Sequence, residues 1–236
     1  MPTLALVRHG QSRWNLENRF TGWWDVDLTG EGESEARRAG VMLRASDVLF
    51  DRVHTSVLTR AIRTATLAME SLGEVWLPMV KEWRLNERHY GALTGLDKAE
   101  TAARHGEAQV HLWRRSFDVP PPPIDPDNQF DVSRDRRYAA VGHRPVAESL
   151  KQTLIRVTPY LEGVLLPELT GGANLLVVAH GNSLRAVLKH LMRISDEKIA
   201  DLEIPTANPL LLDLGHDLSV RDARYLDETR AADLVE

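Results

Sequence analysis

The sequence predicts an α/β protein in which helices cover both faces of a mostly parallel sheet. Short apolar runs, typical of buried strands, alternate along the chain with segments whose apolar residues recur at helical spacing. A hydrophobic content of 43% and a charged content of 27% are ordinary for a folded globular protein. Because no linker-like stretch interrupts the 236 residues, we expect one domain over residues 1–236.

The amino-terminal part predicts a strand, a helix, a second strand and a second helix. Residues 4–7 form a short apolar run typical of a buried strand. Small and apolar residues recur at helical spacing over residues 32–43, which suits close packing of that helix. Residues 52–56 alternate weakly and predict the second strand. The apolar face of residues 58–72 predicts the next helix, with Ser56 as its expected N-cap.

The middle of the chain is expected to contain a third strand at residues 75–77 and a long irregular segment. Residues 98–117 predict helical structure with a break near Gly106. Residues 118–145 contain four consecutive prolines and show no regular apolar period. Loops of this length are uncommon in compact domains unless they serve as lids or binding loops, so we expect a lid or loop insertion here.

The carboxyl-terminal part predicts the clearest strand of the chain. Residues 146–165 carry the apolar period of a long amphipathic helix, and residues 175–179 form a continuous apolar run. A helix that begins near residue 183 and a final strand over residues 210–214 follow. The polar residues 225–236 are expected to form a mobile tail.

Composition limits the classes of function before any motif is considered. The sequence contains no Cys, which excludes disulfide frameworks, thiolate metal sites and catalytic thiols. The net charge of −5 argues against a general nucleic-acid binder. No apolar run approaches the ~20 residues that span a bilayer, and the amino-terminal residues lack the features of a signal peptide. We therefore expect a cytoplasmic protein that has neither nucleic acid nor a membrane as its partner.

Two of the predicted strands are followed by the same dipeptide, His-Gly. Ligands of parallel α/β sheets bind beyond the carboxyl ends of the strands, so His9 and His180 are expected to converge on one crevice. A neutral imidazole can accept a phosphoryl group, and Arg8 and Arg60 would supply the positive charge that this transfer needs. Glu87 is a candidate acid for the leaving oxygen. The residue types alone leave open whether these side chains form a catalytic site or are ordinary polar residues at strand ends.

Longer motifs resemble those of a known family. Residues 6–12 resemble the Arg-His-Gly signature of the histidine phosphatase superfamily. Further segments, in the same order from about residue 4 to 215, resemble the 2,3-bisphosphoglycerate-dependent phosphoglycerate mutases: residues 14–23, 55–61, 85–96, 113–115 and 179–185. The resemblance implies a phosphoglycerate mutase-like fold, which is a three-layer α/β/α arrangement whose mostly parallel sheet has an antiparallel edge strand.

The resemblance also implies an activity, the interconversion of 3-phosphoglycerate and 2-phosphoglycerate in glycolysis and gluconeogenesis by ping-pong transfer through a phosphohistidine. The priming phosphoryl donor would be 2,3-bisphosphoglycerate, and no metal would be needed. His9 would be the nucleophile and Glu87 the general acid and base, with His180, Arg8 and Arg60 completing the catalytic residues. We further expect a homo-oligomer, either a dimer or a tetramer. The implied substrate-binding residues are Arg8, Asn15, Thr21, Gly22, Arg60, Glu87, Arg88, His89, Tyr90, Lys98, Arg114, Arg115, Gly181 and Asn182.

Two positions depart from the family pattern, and two other functions stay open. Gln11 stands where many members have Glu, which removes a charge two residues from His9. Ala207 stands where Gly is usual, and alanine would be strained if this position requires a positive φ. The alternatives are a phosphatase that acts on a small phosphorylated metabolite and a non-catalytic sensor of a phosphate ligand. Lys98, Arg114 and Arg115 favour the mutase, because a mutase has to bind further anionic groups of the phosphoglycerate that a plain phosphatase does not bind.

Overall fold

The computed structural model describes residues 1–234 and is built around a six-stranded sheet. The strands are β1 (Thr3–Arg8), β2 (Arg52–Thr55), β3 (Met79–Lys81), β4 (Leu175–Ala179), β5 (Leu210–Leu214) and β6 (Val220–Tyr225). They lie side by side in the order β3-β2-β4-β1-β5-β6. The amino-terminal strand β1 therefore lies at the centre of the sheet, between two strands from the last third of the sequence.

Strand direction confirms the predicted fold class, a mostly parallel sheet with antiparallel pairing towards one edge. The strands β3, β2, β4 and β1 pair in parallel, while β5 is antiparallel to β1 and β6 is antiparallel to β5. The register pairs Leu4 with Leu175 and Arg8 with Ala179, so the carboxyl ends of β1 and β4 are adjacent. Sequence reasoning missed β6, because its residues are mostly polar and partly exposed at the edge of the sheet.

Helices cover both faces of the sheet, which confirms the three layers. Alternate residues of β1 serve the two cores: Leu4 and Leu6 pack with the carboxyl-terminal helices, and Ala5 and Val7 pack with the amino-terminal ones. No helix in the described part of the chain is both long and apolar enough to cross a membrane. The helices are α1 (Arg13–Leu16), α2 (Gly30–Ala45), α3 (Thr59–Leu72), α4 (Lys98–His105), α5 (Glu107–Arg115), α6 (Leu150–Tyr160), α7 (Leu166–Thr170) and α8 (Gly181–Met192).

Several element positions differ from the predictions. The third strand was predicted at residues 75–77, but these precede the strand, and Trp76 is 72% exposed. The helix predicted over residues 146–165 begins at Leu150 and ends at Tyr160, after which a π-helical segment, Leu161–Leu165, leads into α7. Helix α8 begins at Gly181, slightly earlier than predicted. An apolar pattern does not distinguish an exposed turn from a short strand, which explains the first error.

The irregular segment 118–145 packs against the amino-terminal loop. Its one helical element is a short 3₁₀ helix, Arg136–Tyr138. The ring of Phe130 makes edge contacts with Trp14 and Trp24, and Tyr138 is fully buried against Trp23. These contacts fix the segment beside the loop at residues 14–24, and its function as a lid stays a prediction.

Hydrogen bonds anchor the first part of the predicted tail, and the residue expected to be strained is strained. Asp227 and Asn208 bond to each other twice, and the side chain of Arg230 donates to the carbonyl oxygen of Thr206. The predicted mobility of residues 225–236 stays a prediction, and its last two residues lie outside the described residues.

Ala207 has a φ of 44°, which confirms that this position requires the left-handed conformation in which glycine is easier to accommodate.

Helices α2 and α3 approach each other closely because Gly40 lacks a side chain. A Cβ at this position would overlap the carbonyl oxygen of Ala68 and the side chain of Ser71. Gly163 also lies in a helical segment, but a Cβ there would have no neighbour within 4 Å. The two glycines therefore form a pair with contrasting packing, one in the middle of an α-helix and the other in a π-helical segment.

Replacing Gly40 with alanine is expected to lower the free energy of unfolding by about 1–3 kcal/mol, because overpacking forces α2 and α3 apart. The control variant Gly163→Ala should leave that free energy unchanged or raise it by up to about 1 kcal/mol, because alanine favours the helix. Urea unfolding curves of both variants measure the difference. Equal stabilities of the two variants would contradict this account of the α2–α3 contact.

Candidate active site

A polar pocket opens at the edge of the sheet where β1 and β4 end. It collects side chains from most parts of the chain, including four of the five predicted catalytic residues, Arg8, His9, Arg60 and Glu87. The fifth, His180, lies behind the pocket wall against His9. Fourteen of the lining residues are polar or charged, which is the character of a site for a small anionic ligand. The pocket is lined by Arg8, His9, Asn15, Arg19, Phe20, Thr21, Gly22, Arg60, Glu87, Tyr90, Lys98, Arg114, Arg115, Gly181, Asn182, Arg185, Leu202, Glu203 and Ile204.

His9 follows β1 and is held as a neutral imidazole. Its backbone N–H donates to the carbonyl oxygen of Ala179, and its Nδ1 lies 2.7 Å from the carbonyl oxygen of Gly10. Because a carbonyl oxygen only accepts hydrogen bonds, Nδ1 carries a proton, and in the neutral ring Nε2 then keeps its lone pair. Burial, followed by the charges of Arg60 and Arg8, holds the pKa of His9 well below its usual range. The geometry therefore provides an uncharged ring nitrogen that can act as a nucleophile.

His180 lies beside His9 at the end of β4. The two ring centroids are 5.0 Å apart and the rings meet edge to face. Nε2 of His180 and Oγ of Ser56 lie 2.7 Å apart and share a hydrogen bond. Burial, followed by the charges of Arg60 and His9, lowers the pKa of His180. Ser56 is therefore not the helix N-cap that the sequence predicted, since α3 begins after Leu58 and Ser56 supports His180 instead.

Two glycines fix the loop that carries His9. A Cβ at Gly10 would overlap the carbonyl oxygen of Gly32, and a Cβ at Gly32 would overlap the carbonyl oxygen of Gln11. The absence of a side chain at Gly10 lets the first turn of α2 approach. Gln11 points into this contact, where its Oε1 accepts a hydrogen bond from Thr29 at 2.8 Å. The family departure at Gln11 thus affects the junction with α2 rather than the pocket wall.

Arg8 and Arg60 place two guanidinium groups next to His9. Arg60 is buried and donates to the carbonyl oxygens of Gly22 and Trp24, while burial lowers its pKa to about 10. Arg8 donates to the carbonyl oxygen of Ile204 at 2.8 Å. Its buried Nε has no hydrogen-bond partner within the described residues. A buried donor of this kind is costly unless a ligand satisfies it, so it supports an anion site at this point.

Asn15 presents its amide nitrogen to the same region. Ser12 caps the short helix α1, and Oδ1 of Asn15 accepts from both the backbone and the hydroxyl of Ser12. With its oxygen engaged, Asn15 keeps the Nδ2 donor for the pocket that it lines. Thr21 and Gly22 line the pocket next to it. Gly22 has a φ of 57°, and its carbonyl oxygen accepts from Arg60, so this turn and the arginine fix each other.

Glu87 reaches the pocket from a turn that follows β3. Its Oε1 accepts hydrogen bonds from the backbone N–H groups of Arg88 at 2.7 Å and Asn182 at 3.2 Å. The second contact joins this turn to the first turn of α8, which carries Gly181 and Asn182. A carboxylate held by amides and placed in a pocket with His9 has the position of a proton donor and acceptor for a bound ligand.

A buried ion pair behind the pocket holds the turn that carries Glu87. Arg156 binds both carboxylate oxygens of Glu148, at 2.6 and 2.8 Å. The same guanidinium donates to the carbonyl oxygens of Arg84, Asn86 and Glu87. Sequence reasoning missed both members of the pair, because a glutamate and an arginine near a helix start look like ordinary surface charges.

The outer part of the pocket carries the remaining cationic residues. Lys98 begins α4, and Arg114 and Arg115 end α5. Burial, followed by the charges of Arg114 and Arg8, lowers the pKa of Lys98, so cations crowd this region. Seven cationic side chains line the pocket in all, against two carboxylates: Arg8, Arg19, Arg60, Lys98, Arg114, Arg115 and Arg185, against Glu87 and Glu203.

Two predicted substrate-binding residues lie outside the pocket wall. Arg88 is fully buried behind Tyr90, where its NH2 donates to the carbonyl oxygen of Arg114 at 2.8 Å and to the Tyr90 hydroxyl at 3.3 Å. His89 is buried against Trp23, and burial lowers its pKa to about 4. Both residues support the pocket from behind, and direct contact of either with substrate stays a prediction.

Sequence reasoning also missed several residues that line the pocket. They comprise Arg19 and Phe20 in the loop after α1, Arg185 on α8, and the segment 202–204. Arg185 follows Asn182 by three residues in a helix, and this spacing places both on one face and is a signal that could have revealed it. Arg185 NH1 donates to Oδ1 of Asn182 at 3.1 Å, and Nδ2 of Asn182 donates to the Tyr90 hydroxyl at 3.4 Å, so these three lining residues are joined.

The arrangement is suited to moving a phosphoryl group. Peripheral oxygens of such a group need cations and N–H donors around them, and the guanidinium groups and the first turn of α8 provide both. A neutral Nε2 and a carboxylate provide a nucleophile and a proton carrier. The residues described contain no group of three His, Asp or Glu side chains placed to hold a metal ion.

Comparison with known proteins agrees with this geometry. The family model of the histidine phosphatase superfamily (branch 1) matches residues 4–220. The chain is 58% identical over 234 residues to the 2,3-bisphosphoglycerate-dependent phosphoglycerate mutase of Caulobacter sp. (strain K31), covering 99% of this chain and 98% of that protein. It is also 58% identical over 228 residues to the enzyme of the same name from Sphingopyxis alaskensis, covering 97% of this chain and 100% of the relative.

Solved structures show the same fold at lower identity. A mycobacterial glucosyl-3-phosphoglycerate phosphatase complexed with VO3 superposes with a TM-score of 0.72 at 22% identity, covering 95% of this chain and 97% of that chain. Bacillus stearothermophilus YhfR gives 0.70 at 21% identity, covering 94% and 95%. At this identity the likeness concerns the fold alone. The family match and the close relatives together establish that the chain belongs to the histidine phosphatase superfamily, among the 2,3-bisphosphoglycerate-dependent phosphoglycerate mutases.

Proposed function

We propose that the protein interconverts 3-phosphoglycerate and 2-phosphoglycerate through a phosphohistidine at His9. The observation that carries the proposal is a neutral His9 at the base of a pocket whose outer part holds Lys98, Arg114 and Arg115. A phosphatase needs cations only around the transferred group, whereas a mutase also has to hold the carboxylate and the second phosphate. The relatives named as mutases, at 58% identity over nearly the whole chain, support this choice over a phosphatase.

The reaction begins when Nε2 of phosphorylated His9 loses its phosphoryl group to the 2-hydroxyl of 3-phosphoglycerate. The phosphorus–nitrogen bond breaks, a phosphorus–oxygen bond forms, and Glu87 takes the hydroxyl proton. Bound 2,3-bisphosphoglycerate then turns round and returns its 3-phosphoryl group to His9. Glu87 gives the proton back to the oxygen that is left, and 2-phosphoglycerate leaves.

The inner cations stabilise the group in transfer, and the outer ones hold the rest of the substrate. Arg8, Arg60, Asn15 and the first turn of α8 would bind the peripheral oxygens of the phosphoryl group. His180 is uncharged, so it adds no positive charge next to His9. Seven lining cations supply the charge that metal ions supply in other phosphoryl-transfer enzymes, so we expect turnover without a metal.

The priming donor in this proposal is 2,3-bisphosphoglycerate, as the names of the close relatives indicate for those proteins. It phosphorylates His9 and leaves as a monophosphoglycerate, so the cycle starts from the phosphorylated enzyme. A small-molecule substrate pair of this kind needs neither nucleic acid nor membrane, and accords with a cytoplasmic enzyme. Assembly into a dimer or tetramer stays a prediction.

The phosphohistidine is tested by labelling. Incubation with 2,3-bisphosphoglycerate labelled in its phosphoryl groups should give acid-labile label on His9, and 3-phosphoglycerate should remove it. Primed wild-type protein should form 2-phosphoglycerate faster than it releases inorganic phosphate, with or without EDTA. Label that persists in His9→Ala, or phosphate release that exceeds isomerisation, would overturn the proposal.

Replacing Glu87 with glutamine should lower kcat by about 10²–10⁴-fold, because the amide keeps the Oε1 acceptor for its two N–H donors but cannot carry the proton. KM should change much less. The exposed Glu100→Gln on α4 is the control for loss of one negative charge and should keep wild-type kcat. A decrease of less than tenfold at Glu87 would show that another group carries the proton.

The rate of His9 phosphorylation should stay nearly constant as the pH falls from 7.5 to 6. The pKa of His9 is lowered, so its ring is neutral above that lowered value and stays neutral where an ordinary imidazole is mostly protonated. Rapid-quench measurement of phosphoenzyme formation against pH tests this directly. A rate that falls with an apparent pKa near 6.5, more steeply than ionisation of the donor's phosphate groups accounts for, would contradict a lowered pKa of His9.

A further inference from the structure

Glu203 meets Arg115 at the mouth of the pocket. Oε1 of Glu203 and NH2 of Arg115 form a close ion pair, which joins the end of α5 to the segment that precedes β5. Both residues line the pocket. Within residues 1–234 the neighbouring guanidinium of Arg114 forms no ion pair, although it lines the same pocket. Of these two adjacent arginines, Arg115 already has an anionic partner and Arg114 does not.

The ion pair is not required to hold the segment 198–204 in place. Ile199, Leu202 and Ile204 are buried in the main core. The carbonyl oxygen of Ile204 accepts from Arg8, and that of Ile199 accepts from Arg185. These contacts fix the backbone on both sides of Glu203 without its side chain. The Glu203 carboxylate is thus not needed to anchor the segment.

The side chain of Glu203 has room to leave Arg115. It is 59% exposed, whereas that of Arg115 is 27% exposed. A carboxylate at the rim can turn into solvent at little cost, while the arginine remains in the pocket wall. Ion pairs with this exposure are weak, so a ligand that offers two or three anionic oxygens can replace the carboxylate.

Glu203 also differs from the other carboxylate of the pocket. Glu87 is held by two backbone N–H groups next to His9, in the position of a proton carrier. Glu203 accepts from a guanidinium instead and lies among outer cations, where an anionic group of the substrate would bind. Arg115, Arg8 and Arg185 keep the pKa of Glu203 below its usual value against the opposing effect of its burial, so the carboxylate is charged at neutral pH.

We infer that Glu203 competes with the anionic end of the substrate for Arg115 and thereby sets how tightly that end is held. The inference rests on the proposed function for the identity of the substrate, and on the Arg115–Glu203 contact for the competition. Binding of a phosphoglycerate breaks this ion pair and forms a new one between Arg115 and the ligand. Release of the product reverses the exchange, because the carboxylate returns to Arg115.

The competition is tested with four proteins: wild type, Glu203→Gln, Arg115→Ala and the double variant. Calorimetric titration with 3-phosphoglycerate should show a Kd about 3–10-fold lower in Glu203→Gln than in wild type. The same substitution made in Arg115→Ala should change Kd by less than twofold, because the contested group is gone. In turnover, Glu203→Gln should lower KM by a similar factor, and kcat should not rise.

Asp201→Asn is the matched control, since it removes one negative charge from an exposed position of the same segment. It should leave Kd within twofold of the wild-type value. An unchanged Tm of Glu203→Gln would show that the fold is intact. A higher Kd in Glu203→Gln would mean that Glu203 positions Arg115 for the ligand, and this would overturn the inference. If Glu203→Gln still lowers Kd in the Arg115→Ala background, or if Asp201→Asn lowers Kd as much, the change reflects long-range charge and the inference fails.

Repeating the titrations with inorganic pyrophosphate separates the inference from the proposed function. Pyrophosphate carries two anionic groups that can reach two cationic subsites, and it does not depend on isomerisation. One outcome is that 3-phosphoglycerate is not isomerised, but Glu203→Gln lowers the Kd of pyrophosphate in the wild-type background and not in Arg115→Ala. In that case the proposed function fails and the competition stands. If isomerisation is normal and Glu203→Gln leaves the Kd of both ligands unchanged, the competition fails and the proposed function stands.

Discussion

The buried pair of Arg156 and Glu148 is the interaction on which the geometry of the site depends. One guanidinium holds both oxygens of a carboxylate and three backbone carbonyls, while Glu148 also exchanges hydrogen bonds with the backbone of His89. Removal of one partner would leave the other charge buried and unpaired, which costs several kcal/mol. This network forms a rigid connection between α6 and the turn of Glu87, so the carboxylate stands at a fixed place relative to His9.

The chemistry of the two histidines follows from their positions in the sheet. Parallel pairing of β1 with β4 brings both strand ends to one edge, and burial there excludes the water that would otherwise favour a charged ring. The surrounding arginines act in the same direction, because positive charge opposes protonation of an imidazole. A pocket rich in cations therefore also keeps His9, the proposed nucleophile, unprotonated, and one set of residues has both effects.

Sequence reasoning recovered what periodicity and strand ends encode. The convergence of His9 and His180 could be predicted because the carboxyl ends of parallel strands meet at one edge of a sheet. The direction of a side chain within a motif could not be predicted, and Arg88 and His89 therefore turn away from the pocket that their neighbours Glu87 and Tyr90 line. The roles of Ser56, Glu148 and Arg156 could not be predicted because each bonds to a residue at least 59 positions away, and no local pattern marks such contacts.

The position of β1 has a consequence for synthesis of the protein. Its two neighbours, β4 and β5, begin at Leu175 and Leu210, so neither has been made when the first strand leaves the ribosome. At typical rates of translation, about 10–40 s pass before they have been made. During this interval an apolar strand that will end at the centre of the sheet has no partner. Chaperones that bind short apolar segments would meet this strand first, and the site at its end could not assemble until β4, α8 and residues 202–204 had been made.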